Sequence, residues 1–212
     1  MNFRTYLAAA AAVAALSTGM SAHAAVIQLA DQLAFNAAGP ASQNTNWDSY
    51  GAGFFYPGSP FTVGDLTFVE GGQNLIGGSG TGYNLARNLF TDNFVAGTTI
   101  QIAGTHNLFA FNLGNFFSSG AANVNVATNL GSYAFTPSVG TATNSGALTF
   151  FGVQASAGEY FTSVSYSGGN ATGATDVQLG SAAVPEPAAW ALMISGFGMA
   201  GAMLRRRKVA LA

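Results

Sequence analysis

Acid–base chemistry in this chain would have to come from few side chains. Between residues 25 and 184 the candidates are one histidine, His106, and seven carboxylates, at Asp31, Asp48, Asp65, Glu70, Asp92, Glu159 and Asp176. Glycoside hydrolysis needs two carboxylates about 5 to 9 Å apart. Asp65 and Glu70 are an odd interval apart, which puts them on opposite faces of an unbroken strand. No catalytic pair is therefore predicted, and the protein is expected not to be an enzyme.

Nucleophilic and metal chemistry have as little support in the sequence. The chain contains no cysteine, so neither a thiolate site nor a disulfide is expected. A serine triad would need His106 as its base, and no serine lies in a Gly-x-Ser-x-Gly elbow. The glycine-rich run 77–80 is not followed by the lysine of a phosphate-binding loop. The sequence thus predicts no catalytic residue, no metal ligand set and no cofactor.

Aromatic side chains are concentrated in one segment rich in glycine and proline. Its rings are Trp47, Tyr50, Phe54, Phe55, Tyr56 and Phe61. Exposed aromatic rings can stack on sugars, and polar residues on either side make Trp47 and Tyr50 the candidate ligand-binding residues. The alternative is that these rings close one end of a hydrophobic core.

The charge of residues 25–184 differs from that of the chain ends. One basic residue, Arg87, stands against the seven acids, which gives this segment a formal charge of −6. Such a segment is not expected to bind nucleic acid or an anionic membrane through electrostatics. Its length of about 160 residues suits one domain.

Alternation of apolar and polar residues predicts strands throughout this segment. The alternating rows are Ile100/Ile102, Phe109/Phe111/Leu113, Val124/Val126, Tyr133/Phe135 and Tyr160/Thr162/Val164/Tyr166. Turn-forming residues separate the rows, and no stretch shows a sustained helical period with a cap. The helix expected in this segment is limited to one or two turns at 85–90. We predict an all-β domain over 25–180, an antiparallel β-sandwich with jelly-roll-like connections.

The first residues have the features of an export signal. In residues 1–24 the single charge is Arg4, an alanine-rich apolar stretch follows, and Ala22 and Ala24 supply the small residues of a cleavage site. This pattern predicts a Sec signal peptide over 1–24 that is cleaved after Ala24, and hence the Sec translocon as a partner.

The C-terminal segment has three parts in a fixed order. A linker at 181–187 contains Pro185-Glu186-Pro187, and the charge-free run 188–204 would span about 25 Å as a helix. The tail 205–212 begins with the cations Arg205, Arg206, Arg207 and Lys208. We predict a transmembrane helix over 188–204 in the inner membrane, followed by a stop-transfer sequence and a basic cytoplasmic tail.

This order resembles the PEP-CTERM sorting signal of Gram-negative bacteria, in its Pro-Glu-Pro-x-x-Trp-Ala form. The matching positions are Pro185, Glu186, Pro187, Trp190 and Ala191. The resemblance implies that exosortase, a membrane enzyme, processes the chain near Pro-Glu-Pro. The alternative is an ordinary single-pass anchor with an unrelated Pro-Glu-Pro linker.

Residues 146–180 resemble the closing strands of PEP-CTERM ectodomains, which are similar to carbohydrate-binding-module sandwiches. The Asp-Asn step common in the last strand of those domains is absent, because Val177 follows Asp176. Apart from that resemblance, the three strands are expected to be two core strands and one edge strand.

Two function classes follow from these features. The first, which the PEP-CTERM resemblance implies, is a non-enzymatic exported protein of the cell surface or extracellular matrix, sorted by exosortase and associated with exopolysaccharide or biofilm. The second is a carbohydrate-binding adhesin with an aromatic sugar-stacking surface. The second class requires an exposed aromatic row beside polar side chains, whereas the first requires no ligand site.

Overall fold

A computed structural model describes residues 25–70, 74–78, 87–91, 97–142, 148–168, 171–182 and 193–199. Its contacts divide the chain into two units, Met1–Ser181 and Ala182–Ala212. The predicted signal peptide at 1–24, the core of the sorting signal at 183–192 and the basic tail at 205–212 lie outside the described residues.

The described part of the first unit consists almost entirely of strands. In chain order these are β1 (Val26–Leu29), β2 (Ala41–Thr45), β3 (Phe54–Phe55), β4 (Phe61–Val63), β5 (Leu66–Glu70), β6 (Leu75–Gly77), β7 (Leu89–Thr91), β8 (Thr98–Ile102), β9 (Leu108–Asn115), β10 (Gly120–Ala121), β11 (Asn123–Thr128), β12 (Ser132–Phe135), β13 (Ser138–Val139), β14 (Thr149–Ala155), β15 (Phe161–Ser167) and β16 (Thr172–Gly180). A helix, α1 (Gln32–Ala38), and a 3-10 turn at Asp48–Tyr50 complete the unit.

These strands form two main sheets. The larger has the order β1-β14-β9-β16-β7-β6-β3, with β2 also paired to β16. The smaller has the order β12-β11-β15-β8-β5-β4, and β10 and β13 form a separate sheet of two strands. Every paired strand in both sheets runs antiparallel to its neighbour. The prediction of an all-β, antiparallel fold is confirmed.

One hydrophobic core combines the inner faces of the two sheets. Phe111 of β9 lies with its ring centroid 5.6 Å from that of Tyr166 in β15. Phe135 of β12 and Phe151 of β14 are 5.4 Å apart in an edge-to-face arrangement. Because side chains of both sheets belong to one buried cluster, the architecture supports a sandwich. The closer likeness to jelly rolls or carbohydrate-binding modules remains a prediction.

The alternating rows predict the strands correctly, with one local error. The predicted row Tyr160/Thr162/Val164/Tyr166 fails at its start, since Phe161 is buried and Thr162 is exposed. The register between β11 and β15 shifts at Ala127/Thr128, and this irregularity changes which face Phe161 occupies. Val164 and Tyr166 point into the core as expected.

Strands β14, β15 and β16 each pair on both sides, so the expectation of an edge strand among the three closing strands is wrong. Strand β16 is central in the larger sheet. It pairs with β9 on one side and with β7 and β2 on the other. All its residues are buried, including the polar Asp176 and Gln178. Gln178 exchanges side-chain hydrogen bonds with Gln32 of α1, at 2.9 and 3.0 Å. Gln178 is tolerated in this buried strand because its side chain, on the face of the sheet away from the core, is hydrogen-bonded to Gln32.

The sequence reasoning missed α1. Asp31 caps its N-terminus, since its Oδ1 accepts a hydrogen bond from the amide of Ala34 at 2.8 Å. Phe35 is its one buried side chain, and seven residues are too few to show a helical period. The suggested helical turns at 85–90 are also wrong where the structure describes them, because Leu89 and Phe90 lie in β7.

In the second unit the described residues form a short helix at 193–199. Among the residues that the structure describes, no helix is both long and apolar enough to cross a membrane. Most of the predicted span at 188–204 lies outside those residues.

Candidate functional site

Trp47, a predicted ligand-binding residue, lies in the core. Its side chain is 1% exposed, and its Nε1 donates a hydrogen bond to the carbonyl of Ala174 at 2.9 Å. The rings of Phe68 and Phe90 are each centred 5.2 Å away. The prediction that Trp47 presents a stacking face to solvent is wrong, because the two sheets enclose its ring. For this residue the alternative, a ring that closes the core, describes the structure.

Tyr50 and three rings that follow it in the chain are exposed. Tyr50, Phe54, Phe55 and Tyr56 are exposed by 36%, 40%, 44% and 48%, and we call these four side chains the aromatic surface. The ring centroids of Tyr50 and Phe55 are 4.9 Å apart. Of these four residues, Phe54 and Phe55 form the strand β3. This strand has only two residues and lies at the end of the larger sheet, so its rings are not enclosed by the core.

Core contacts and hydrogen bonds hold the segment that carries the aromatic surface. The ring of Tyr50 lies 6.3 Å from that of the buried Trp47. Asn88 donates from Nδ2 to the carbonyls of Trp47, at 3.1 Å, and Gly51, at 2.7 Å. Gly51 has a φ of 73°, a left-handed conformation that favours glycine. The segment is thus anchored at its backbone, which keeps Tyr50 in place.

Arg87 joins two carboxylates, and one of them, Asp48, belongs to the same 3-10 turn as Tyr50. Its Nη2 is 2.7 Å from Oδ2 of Asp48, and its Nη1 is 2.5 Å from Oδ2 of Asp176. Asn112 donates to the same Asp176 oxygen at 3.0 Å. We call these four residues the arginine cluster. The pKa of Arg87 is raised above its ordinary value, chiefly by the hydrogen bond to Asp48, with partial burial opposing the shift.

Asp176 holds an uncommon backbone conformation within a central strand. Its φ is 50°, at the point where the pairing between β16 and β9 shifts register. Aspartate visits this left-handed region more readily than most residues. The irregularity interrupts the regular alternation of β16 at the residue whose carboxylate binds Arg87 and Asn112.

The arginine cluster was not predicted from the sequence. Asp48 and Asp176 lie far apart in the chain and gave no spacing signal. The available signal was Arg87 itself, because a lone cation in a segment of formal charge −6 attracts carboxylates.

The other titratable side chains are dispersed. His106 Nε2 lies 2.8 Å from Oδ2 of Asp65, while the buried Nδ1 has no hydrogen-bond partner among the described residues. Glu159 is 2% exposed, and its Oε1 accepts hydrogen bonds from Thr128 at 2.6 Å and Tyr133 at 2.9 Å. Within the described ranges, no three residues of types His, Cys, Asp and Glu are grouped as a metal site.

A family model for the PEP-CTERM protein-sorting motif matches residues 183–208. This chain carries a PEP-CTERM sorting motif. The motif supports an exported protein that exosortase processes, as the resemblance implied. No curated protein and no solved structure matches the chain.

The matched range of the PEP-CTERM motif contains the predicted sorting residues. Pro185, Glu186, Pro187, Trp190 and Ala191 all fall within it, and so do the cations 205–208. The structure describes none of these residues, nor the predicted cleavage residues Ala22 and Ala24, so their individual roles remain predictions.

Proposed function

We propose that this chain is a non-enzymatic exported protein whose β-sandwich acts at the cell surface or in the extracellular matrix, associated with exopolysaccharide or biofilm. It leaves the cytoplasm through the Sec translocon and is held at the inner membrane until exosortase processes it. The observation that carries this proposal is the PEP-CTERM motif at 183–208, which follows the last strand, β16, within a few residues.

The arrangement of the titratable side chains supports a non-enzymatic role. Asp48 and Asp176 are both paired with Arg87, and the Glu159 carboxylate is buried under two hydroxyl groups. General acid–base catalysis needs a group that can exchange protons with a bound substrate. These three carboxylates are engaged in contacts within the fold instead.

A second candidate function is a carbohydrate-binding adhesin. The aromatic surface favours it, since four half-exposed rings lie within residues 50–56 and Tyr50 shares its 3-10 turn with Asp48, the ion-pair partner of Arg87. Sugar recognition commonly combines an aromatic face with hydrogen-bonding groups. The two candidates are compatible, because a matrix protein can also bind matrix glycans.

The test of the sorting proposal replaces Pro185, Glu186 and Pro187 by alanine in the producing cell. We expect the wild-type protein to lose its C-terminal segment and to reach the surface or medium, and the variant to keep that segment in the inner membrane. The measurements are the intact mass of the protein and its distribution among cell fractions.

The matched control is Glu70→Gln, which also removes one carboxylate but lies in β5 of the sandwich. It should be processed like the wild type. If the wild type and the triple variant both keep the segment in the inner membrane, the protein is a membrane-tethered domain and the sorting proposal is wrong.

A further inference from the structure

The aromatic surface is the one place in the described part of the sandwich where exposed rings are concentrated. Its four members lie within residues 50–56, whereas the other exposed large apolar side chains of the sandwich are Ile27, Leu33, Phe117 and Leu130, which lie far apart in the chain. Burying Tyr50 and Phe55, whose ring centroids are 4.9 Å apart, would remove apolar area from water, and so this surface favours a ligand with apolar faces.

The contacts of the aromatic surface prepare it for binding. Tyr50 is packed against Trp47 and Phe55, and the backbone at Gly51 is bonded by Asn88. A surface that is already ordered loses little conformational entropy when a ligand binds.

The adjoining polar groups can bind hydroxyl groups. Asp48 and Tyr50 belong to one 3-10 turn, so the carboxylate and the ring are carried by residues two positions apart in the chain. The Asp48 side chain is 51% exposed and that of Arg87 is 34% exposed, which leaves acceptor and donor atoms at the surface. Asp48 binds Nη2 of Arg87 and Asp176 binds Nη1, so the ion pair with Asp176 fixes the orientation of the guanidinium group.

Size and charge narrow the class of ligand. Phe54 and Phe55 are consecutive in β3 and point to opposite faces of the sheet, so the area that one ligand can cover centres on Tyr50 and Phe55. It is roughly a few hundred Å² at most, well below the area of a stable protein–protein interface. The two-residue strand β3 is also too short to template the addition of a partner strand. With a formal charge of −6 on residues 25–184, a polyanionic chain would be repelled.

From these observations we propose that the aromatic surface, with Asp48 and Arg87, forms a binding site for an uncharged polysaccharide. The C–H faces of the sugar rings pack on Tyr50 and Phe55, and the sugar hydroxyl groups bond the exposed edge of the Asp48–Arg87 pair. The site deepens the proposed function and rests on it, since export brings the sandwich into contact with matrix glycans.

The experiment measures binding of the detergent-extracted full chain to neutral polysaccharides (a β-1,4-glucan, a galactomannan and dextran) and to the polyanion alginate. The variant is Tyr50→Ala/Phe55→Ala, and the matched control is Phe117→Ala, which removes an exposed ring elsewhere. We expect the wild type to bind at least one neutral polysaccharide more tightly than alginate. The double variant should bind it about tenfold more weakly, as when an aromatic anchor of an interface is truncated, and Phe117→Ala should bind like the wild type.

Three results would overturn the proposal: no binding to any neutral polysaccharide, tighter binding to alginate, or equal binding by the wild type and the double variant. Sedimentation of the same samples tests a second copy of the chain as the occupant of the aromatic surface. If the wild type and Phe117→Ala are dimers and the double variant is a monomer, the surface is a dimer contact and the proposal is wrong. Melting temperatures within a few degrees of the wild type establish that the variants fold. Export is measured separately by mass and cell fraction, so an exported protein that binds no glycan contradicts this site and leaves the sorting proposal standing.

Discussion

Trp47 and Tyr50 are near neighbours in the chain, yet their side chains have opposite environments. Trp47 is 1% exposed, and its indole N–H is bonded to the carbonyl of Ala174 in β16. Tyr50 is 36% exposed, because the 3-10 turn at Asp48–Tyr50 directs it away from the core. The sequence identified this aromatic segment but could not separate the core ring from the surface ring. That distinction depends on Ala174, which lies far away in the chain.

Arg87 provides a prediction at the scale of single residues. Arg87→Met removes the cation and leaves the Asp176 carboxylate, which is 13% exposed, without an ion-pair partner. We expect the free energy of unfolding to fall by about 2 to 3 kcal/mol, less than for a fully buried pair because the arginine itself is 34% exposed. Adding Asp176→Asn should recover most of that loss.

Chemical denaturation of the four members of this double-mutant cycle measures the coupling between Arg87 and Asp176. Asp48→Asn is the matched control; its side chain is 51% exposed, and we expect a loss of no more than about 1 kcal/mol. Equal losses for Asp48→Asn and Arg87→Met would contradict the expectation that the less exposed Asp176 contributes more to the free energy of unfolding than Asp48 does.

Among the elements, β3 and β6 determine where the exposed rings lie. Phe54 pairs with Gly77, and Phe55 pairs with Ile76, at the end of the larger sheet. The alternating rows predicted the longer strands, whereas a strand of two residues shows no alternation. Its place in the sheet follows from pairing with β6, which the sequence did not reveal.

Gly77 supplies a prediction at this scale. A Cβ atom at Gly77 would lie 2.5 Å from the carbonyl oxygen of Gly53 and 2.5 Å from a ring carbon of Phe54. Gly77→Ala should therefore separate β3 from β6, at a cost of about 1 to 3 kcal/mol for overpacking. Faster amide exchange at residues 54–55 and 76–77, with little change in the smaller sheet, is the expected observation.

Gly58→Ala is the control for this substitution, because a Cβ atom at Gly58 meets nothing within 4 Å. It should leave amide exchange in β3 and β6 unchanged. If both substitutions have the same effect, the close approach at Gly77 does not determine the position of β3.

For the whole molecule, the topology places the last strand at the centre of the larger sheet. A chain that ends at Ala182 keeps every described strand and should fold with the stability of the full chain. A chain that ends at Ala171 lacks β16, which separates β9 from β7 and β2, and should not fold. Far-ultraviolet circular dichroism and thermal melting of the two chains test this expectation.

The reason for the expected difference is packing. Val177 and Leu179 of β16 belong to the main core, and Ala174 accepts the hydrogen bond of Trp47. A cooperative melt of the chain that ends at Ala171 would show that β16 is dispensable and would contradict the central role of this strand. Folding of the longer chain would also mean that loss of the PEP-CTERM motif leaves the sandwich intact.

The sequence by itself determined the features that are local. Alternating residues at Ile100/Ile102 and Val124/Val126 specify β-strands because side chains of a strand alternate between two faces. The residues of the PEP-CTERM motif are contiguous in the chain, so the motif could be recognised from the sequence without any structure. The family match at 183–208 confirms it.

The tertiary structure decided everything that depends on contacts distant in sequence. Arg87 meets Asp176 because β7 pairs with β16, and it meets Asp48 because β2, which precedes Asp48 in the chain, also pairs with β16. The central place of β16, the burial of Trp47 and the exposure of Tyr50 have the same origin. A strand pattern specifies which faces are apolar, but the order of strands in a sheet is set by pairing between segments far apart in the chain.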